Sequence, residues 1–496
     1  MASTILASAM AFIDGTALNV VLPSLQNSLH ATAADLFWVL NAYLLMLASL
    51  ILAGGSLGDR LGRKKVFMTG ILVFIIGSAA CGLAPSTAWL IGFRILQGAG
   101  GALMIPGSLS LLSSSIDDRE RGKAIGTWSA ITTMVTIGGP IIGGALADAG
   151  LWRYIFFINV PMGIVALLIL WFKVAESKDD EAGEVLDLPG ILAIALGLAA
   201  LTFGFLRMPA LGLMHWAVWG SLLLGLLLLT AFIAIERKSS HPMMPPHLFA
   251  NPVFTGVNLL TFFLYSGLNA SMLFLSLNLV QAQGYSQLDS GLTFLPLTIL
   301  MIAIARFAGA LADKYGPRPF LVFGPAVSGL GMLLLSFVGE THGPRDYWTS
   351  FLPGVLVLGL GLSFTVAPLT TTVMSAVGDQ YSGVASGINN ALSRVASVFA
   401  NAIFGALAVL LFAGMLGQRL NGLGLPADAK HAVIAQAADL GNAKPPPALA
   451  PGQKVAVAAI YRAGFIQSYQ RIMQCAAVLA FTGSLMGTIF VKKRRP

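Results

Sequence analysis

GSLGDRLGRK at residues 55–64 and GALADKYGPR at residues 309–318 are one signal written twice. Glycines match at 55/309 and 62/316, leucines at 57/311, acids at 59/313 and bases at 64/318. A further base follows each acid, Arg60 in one copy and Lys314 in the other. Each copy closes a long apolar run and enters a short basic loop. Repeats related by an axis along the membrane normal are one known transporter plan, so the pair predicts two six-helix halves. The glycines allow close helix contact and a tight turn. The acid can accept hydrogen bonds from helix amides or pair with a nearby arginine, and the bases anchor the loop at an anionic leaflet. A conformational latch fits this chemistry, built from Gly55, Asp59, Arg60, Gly62 and Arg63 in the first copy. Arg306, Asp313 and Arg318 form it in the second, with Arg306 two turns before Asp313 on the same helix face. A topogenic loop with a helix cap is the alternative for either copy alone.

Composition agrees with a membrane setting. Of 496 residues, 56% are hydrophobic and 10% charged, against about 25% charged in soluble domains. Mean hydropathy is +0.81. The net charge of +8 would suggest nucleic acid in a soluble chain, but here the bases sit in short loops and report topology, so no nucleic-acid partner is expected. Cys81 and Cys475 lie in apolar runs without a CxxC or a histidine partner. Two buried structural thiols are therefore expected, with no metal site. The first apolar run lacks a basic start and continues past a signal-peptide core, so no cleavable signal is expected.

Apolar stretches long enough to span fall at about 4–27, 36–57, 66–84, 87–111, 122–147, 154–174, 188–206 and 214–236. Six more lie at about 252–280, 288–312, 319–339, 349–375, 383–414 and 464–491. The fold class is thus all-α and polytopic, with about fourteen crossings. Residues 1–174 form an N-terminal six-helix bundle, 175–251 a linker with two extra helices, and 252–496 a C-terminal bundle with a long external loop at 415–463. Within that loop, ADAKHAVIAQAADL has the pattern of a short surface helix. Lysine and arginine concentrate on one set of loops, from Arg60 to Lys65, Arg119 to Lys123, Lys173, Lys178, Arg237, Lys238, Lys314, Arg318 and Lys492 to Arg495, whereas the opposite short loops carry only Arg153, Arg207 and Arg345. The asymmetry places both termini in the cytoplasm of a cell (inner) membrane protein.

Among the first 34 residues Asp14 is the only acid or base apart from His30. It lies roughly 20 Å along the first helix, near the middle of a hydrocarbon layer about 30 Å thick. A charge there costs about 2.5–3.5 kcal/mol on insertion scales, and burial disfavours the charged form, so this carboxyl could exchange a proton. A fixed ion pair to another helix is the competing reading. Asn19, five residues on, faces the same cavity or packs. Arg94 is the second intramembrane charge; a guanidinium keeps its proton, so it acts electrostatically or as a structural partner, with Gln97 beside it. Gly138, Gly139, Pro140, Gly143 and Gly144 form a bendable, small-faced helix segment. Arg394 lies deeper in an apolar run and meets either substrate or an acid on another helix. Trp38, Tyr43, Phe262, Phe263 and Tyr265 line a hydrophobic pocket or pack.

Several stretches resemble the major facilitator superfamily. GSLGDRLGRKKVF resembles its loop 2–3 signature, LIGFRILQGAGGA (90–102) its fourth-helix motif around Arg94, and GGPIIGGALAD (138–148) its fifth-helix antiporter motif. IDGTALNVVLP (13–23), WRYIFFINVPMG (152–163) and QAQGYSQLDSGLTFLP (281–296) resemble the fourteen-helix drug–proton antiporter family. The resemblance runs to about residue 400. It implies proton coupling or cation binding at Asp14 and an influence of Arg94 on nearby protonation. The family's fifth helix usually carries another glycine one turn before Gly139, where this chain has Val135.

Together these readings imply a proton-coupled exporter working by alternating access, with no cofactor. Its expected partners are membrane lipid, protons and small lipophilic substrates, and it is expected to act as a monomer. With Asp289, Asp313, Asp346 and Asp379 all near helix ends, one deep carboxylate compensates one positive charge, so the expected substrate is a monocation or a neutral amphiphile. A lipid, fatty-acid or siderophore exporter remains an alternative, as do an importing symporter and a non-transporting sensor or scaffold. HExxH, a Walker loop and GxSxG with partners are absent, so neither an enzyme nor an ATP-driven pump is expected. A carboxylate held against a guanidinium and sealed from solvent would contradict the role given to Asp14.

Overall fold

The structure is a computed structural model of the chain. It describes residues 1–114, 118–177, 187–212, 214–239, 242–378, 381–423 and 425–491. The side chains at 59–60, 109–110, 113–126, 129–130, 133–134, 136–137, 305–306, 313 and 382–383 lie outside that description.

The helices are α1 (Ala2–Leu29), α2 (Ala33–Leu61), α3 (Arg63–Leu83), α4 (Thr87–Ser114), α5 (Asp118–Asp148), α6 (Tyr154–Phe157), α7 (Asn159–Lys173), α8 (Leu188–Leu211) and α9 (Trp216–Lys238). They continue as α10 (Pro252–Gln281), α11 (Gln287–Leu292), α12 (Leu295–Tyr315), α13 (Arg318–Leu335), α14 (Phe351–Ser375), α15 (Ser382–Leu420), α16 (Ala427–Ala435) and α17 (Pro451–Phe490). Among the described residues thirteen segments are long and apolar enough to cross a membrane. The 31-residue α5, about 46 Å at 1.5 Å per residue, adds another of sufficient length.

Local chemistry sets the starts. Thr32 and Asp35 form a capping box on α2, with the Thr32 amide donating to Asp35 at 3.0 Å and the Asp35 amide to Thr32 Oγ1 at 3.3 Å. Asn251 caps α10 through the amides of Val253 and Phe254, with Pro252 pre-set at the first helical position. The duplicated motif builds the same joint twice. Gly62 and Gly316 take φ of +107° and +86°, a region that favours glycine, and so turn α2 into α3 and α12 into α13. The bases at the matching positions do matching work. Lys64 Nζ donates to the Val174 carbonyl at 2.7 Å just beyond α7, and Arg318 Nη2 to the Thr488 carbonyl at 3.0 Å near the end of α17. Each satisfies carbonyls that the helix itself leaves unpaired.

The expected crossings at 154–174 and 288–312 are present as Tyr154–Lys173 and Gln287–Ile304, each with a local break. The first is divided into α6 and α7, with Pro161 in the first turn of α7; the second into α11 and α12 at Thr293–Phe294, where Pro296 has no amide to continue the ladder. Two expectations need correction. The loop at 415–463 is shorter, because α15 runs on to Leu420 and α17 starts at Pro451. Both extensions bury apolar side chains, Leu416 and Leu420 from α15 and Val457 and Tyr461 from α17. Between them α16 packs Val433 into the core, and the Tyr461 hydroxyl donates to the Val433 carbonyl at 2.9 Å. Of the two cysteines only Cys81 is buried; Cys475 is exposed, on the outward face of α17.

Candidate functional site

Asp14 on α1 faces α4. Its Oδ2 lies 2.5 Å from Arg94 Nη1 and its Oδ1 accepts from Gln97 Nε2 at 2.9 Å. Arg94 Nη1 also donates to Gln97 Oε1 at 2.8 Å, and its Nε to the Val39 carbonyl of α2 at 3.2 Å. The guanidinium lies over the Tyr43 ring, 4.3 Å from its centroid. All of these side chains are buried, Asp14 at 2% exposure and Arg94 at 1%. Arg94 and Gln97 reach Asp14 together because i and i+3 share a helix face. Small residues make room, since Gly98 and Gly101 of α4 lie against Tyr43.

This geometry is the one stated above as contradicting the role given to Asp14, and it overturns the expectation of a lone carboxyl that exchanges protons with a vestibule. Asp14 is not a solitary carboxylate open to a vestibule but one member of a sealed ion pair. The cause is plain: two buried charges are costly apart and compensate each other when hydrogen-bonded. A proton on Asp14 here would leave the guanidinium unbalanced.

The other expected site residues divide. Tyr43 joins the cluster. Asn19 is half-buried one turn beyond it, and its carbonyl, not its amide, accepts from Ser276 of α10 at 3.4 Å. Phe262 packs edge-on against Phe263 and Phe399, and Trp38 and Tyr265 pack partly buried against the main core. Arg394 on α15 is half-buried, and its Nε has no hydrogen-bond partner among the described residues. The side chains of Asp59, Arg60, Arg306 and Asp313 lie outside the described residues. Gly55 packs beside Pro106, and the Gly62 turn sits against the Glu176 carboxylate.

The glycine–proline segment of α5 touches two partners. A Cβ at Gly139 would strike Thr16, and one at Gly143 would lie 2.8 Å from the Ala17 carbonyl oxygen, both on α1 just past Asp14. A Cβ at Gly144 would strike the Gln287 backbone of α11, and one at Gly291 the Pro140 carbonyl. Gly138 faces no close neighbour. This contact lies at the end of the bundle that also carries α16, here called the far end; Lys64 and Val491 mark the other.

Further polar contacts close the far end, and sequence reading missed them. Asp148, last residue of α5, accepts from the amides of Gln287 and Leu288, each at 2.9 Å, so it caps α11 across the bundle. The Gln287 amide side chain donates to Ser24 Oγ of α1. Gln26 of α1 accepts from Gln281 at 3.1 Å and Asn442 at 2.8 Å, and donates to the Asp439 carbonyl at 3.1 Å. Only the acid ending GGPIIGGALAD gave a signal for any of this. Asn41 on α2 and Asn278 on α10 are also buried without partners among the described residues.

Helices of membrane length, one turn built twice and a charge pair on a helix that grips the other half describe a multi-pass transport protein rather than an enzyme. Comparison with known proteins makes this specific: the chain matches the Major Facilitator Superfamily over residues 4–401 and belongs to that family. It is 30% identical to the tetracenomycin C resistance and export protein of Streptomyces glaucescens, across 98% of this chain and 90% of that one. It is 31% identical to the multidrug resistance protein Stp of Mycobacterium tuberculosis, across 83% of this chain and 76% of that one. These relatives agree with the drug-antiporter branch that the motifs resemble. In fold it is similar to a bacterial homologue of the human lysosomal transporter Spinster in an inward-facing, unoccupied conformation, with TM-score 0.68, 18% identity, and coverage of 100% of this chain and 98% of that one.

Proposed function

We propose that the chain is a proton-driven exporter of lipophilic compounds, of the multidrug-efflux type, working by alternating access. The likeness to resistance and export proteins supports the export of drugs. The sealed Asp14–Arg94 pair rules out the scheme of a lone exchanging acid, and the coupling proposed in its place rests on opening of the buried Asp14–Arg94–Gln97 cluster, since intramembrane charges are expensive and mark functional sites. In this reading the protein sits in the cell (inner) membrane as a monomer, with both termini cytoplasmic, the far end external and no cofactor. The present closure of the far end then corresponds to a state shut to the outside.

Proton uptake is tied to opening of the pair, not to a lone acid. When the far end opens, α1 moves relative to α4 and Asp14 leaves Arg94; a proton then takes the place of the guanidinium. Return to the present arrangement restores the pair and releases the proton. The membrane field contributes about 2.3 kcal/mol per charge per 100 mV. Because Arg94 neutralises Asp14, the cluster offers no net charge. That moves the expected substrate toward the neutral members of its range.

The test is reconstitution in vesicles holding a pH dye, with a panel of neutral, monocationic and dicationic amphiphiles. Transported compounds should discharge an imposed proton gradient, and Asp14→Asn should remove that response. Full coupling in Asp14→Asn, or transport indifferent to collapse of the gradient, refutes the proposal.

A further inference from the structure

A groove of about 750 Å³ runs between α3 and α7 at the termini end. Met68, Thr69 and Leu72 form one wall; Ile164, Leu168 and Trp171 form the other. These positions follow helical spacing, so two apolar stripes face each other across a trough. The stripes are open to the surroundings: Leu72 is 48% exposed, Leu168 52% and Trp171 69%. From Lys65 to Leu72 the trough descends about 10 Å, the reach of the upper part of an acyl chain.

The mouth of the groove is cationic and built. Lys64 Nζ is held over the end of α7 by the Val174 and Trp171 carbonyls, at 2.7 and 3.4 Å. Lys65 is exposed, and its ammonium has no partner among the described residues. Among the described residues the one acid at the mouth is Glu176, and its carboxylate is already engaged. It accepts from the amides of Lys64, Lys65 and Ser177 at 2.9, 3.0 and 3.0 Å, capping the start of α3. Among the described residues the two ammonium groups therefore face the trough with Glu176 as their one acidic neighbour. Trp171 lies at the same level, where indole rings favour the headgroup region.

We propose that this groove is a binding site for one anionic phospholipid. Its phosphate sits beside Lys64 and Lys65 and one acyl chain lies along the Met68–Leu72 and Ile164–Trp171 walls. A bilayer lipid supplies both the anion and the chain; free phosphate would leave the trough unfilled. Such a lipid braces the 62–65 turn and the Glu176 segment against α7.

The test uses the purified full chain in vesicles of phosphatidylcholine with phosphatidylglycerol, one or the other bearing brominated acyl chains. Quenching specific to Trp171 is read as the difference from Trp171→Phe, a change at an exposed ring that leaves the fold intact. Each lysine near an anionic surface is worth a factor of about five, so brominated phosphatidylglycerol should be preferred over brominated phosphatidylcholine by at least about five-fold. Lys65→Gln, which keeps Lys64 on its carbonyls, should lower that preference about five-fold. Lys238→Gln, at the end of α9 and outside the groove, should not change it. Equal quenching by the two lipids, an unchanged preference in Lys65→Gln, or an equal fall in Lys238→Gln overturns the site.

Discussion

Replacing Asp14 by asparagine keeps the shape of the cluster and removes one charge from a pair whose members are 1% exposed. The guanidinium then stays buried without a counter-ion. Breaking such a pair from one side costs about 3–5 kcal/mol. Three contacts soften the loss here: the Val39 carbonyl, the Gln97 carbonyl oxygen and the face of Tyr43 all remain with Arg94. The expected destabilisation is therefore near the lower end, about 3 kcal/mol. The paired variant Asp14→Asn/Arg94→Gln removes both charges and should recover most of that loss, since replacing a whole buried pair is often neutral. Reversible unfolding in mixed micelles, run on all four members of the cycle, gives the coupling energy directly. A value below about 0.5 kcal/mol, or a double variant less stable than Asp14→Asn, refutes the account of Asp14 as charge-compensated by Arg94.

Gly144→Ala drives a methyl into the Gln287 backbone, and overpacking of this kind costs about 1–3 kcal/mol; Asp148→Asn weakens the cap on α11. Both should favour an open far end, seen as faster labelling of a cysteine placed at Ser24, and unchanged labelling would count against the closure described. Burial raises the Asp439 carboxyl above its ordinary range, so the folded segment holds a proton more readily than the unfolded chain. That stabilises residues 421–450 on the acid side, and the gain is lost as pH rises from the unfolded value through the raised folded one. Asp439→Asn should remove this pH dependence in hydrogen exchange, corrected for intrinsic rates, and should protect the segment better than wild type at neutral pH. Identical profiles for the two proteins would show that Asp439 is not the group responsible.

Much of the fold was legible because hydrocarbon demands long apolar helices and the loop motif occurs twice. The same motif located Gly62 and Gly316 as turns, since only a residue free of Cβ takes those φ values easily. Asp14, Arg94 and Gln97 were legible as exceptions to the apolar rule. Their mutual contact was not, because it joins α1 to α4 and depends on how the helices rotate, which spacing within one helix does not encode. The shortened loop after α15 was missed for a different reason. The segment 451–463 is rich enough in polar residues to look aqueous, yet it is helical and buries Val457 and Tyr461 in the core. The bonds of Gln26 and Asp148 were invisible for the same reason as the ion pair, since each reaches a partner distant in sequence.

The charge pair and the far-end closure share one helix, α1. Asp14 holds α1 to α4. Two and three residues later Thr16 and Ala17 meet Gly139 and Gly143 of α5, and the next glycine, Gly144, meets Gln287. Every link in this series is short-ranged. Hydrogen bonds weaken steeply with distance, and contacts between bare backbones lose much of their dispersion energy over a gap below 1 Å. A helix held on both sides by such contacts does not yield gradually. It keeps them or loses them as a set, as expected of packed interfaces with two discrete arrangements. Contiguity by itself does not establish coupling, but it makes α1 the element whose two positions a proton at Asp14 and an opening at Gly144 would both bias. In the proposed exporter, alternating access would then be a switch of α1 between neighbours, with the ion pair marking one of its two seats.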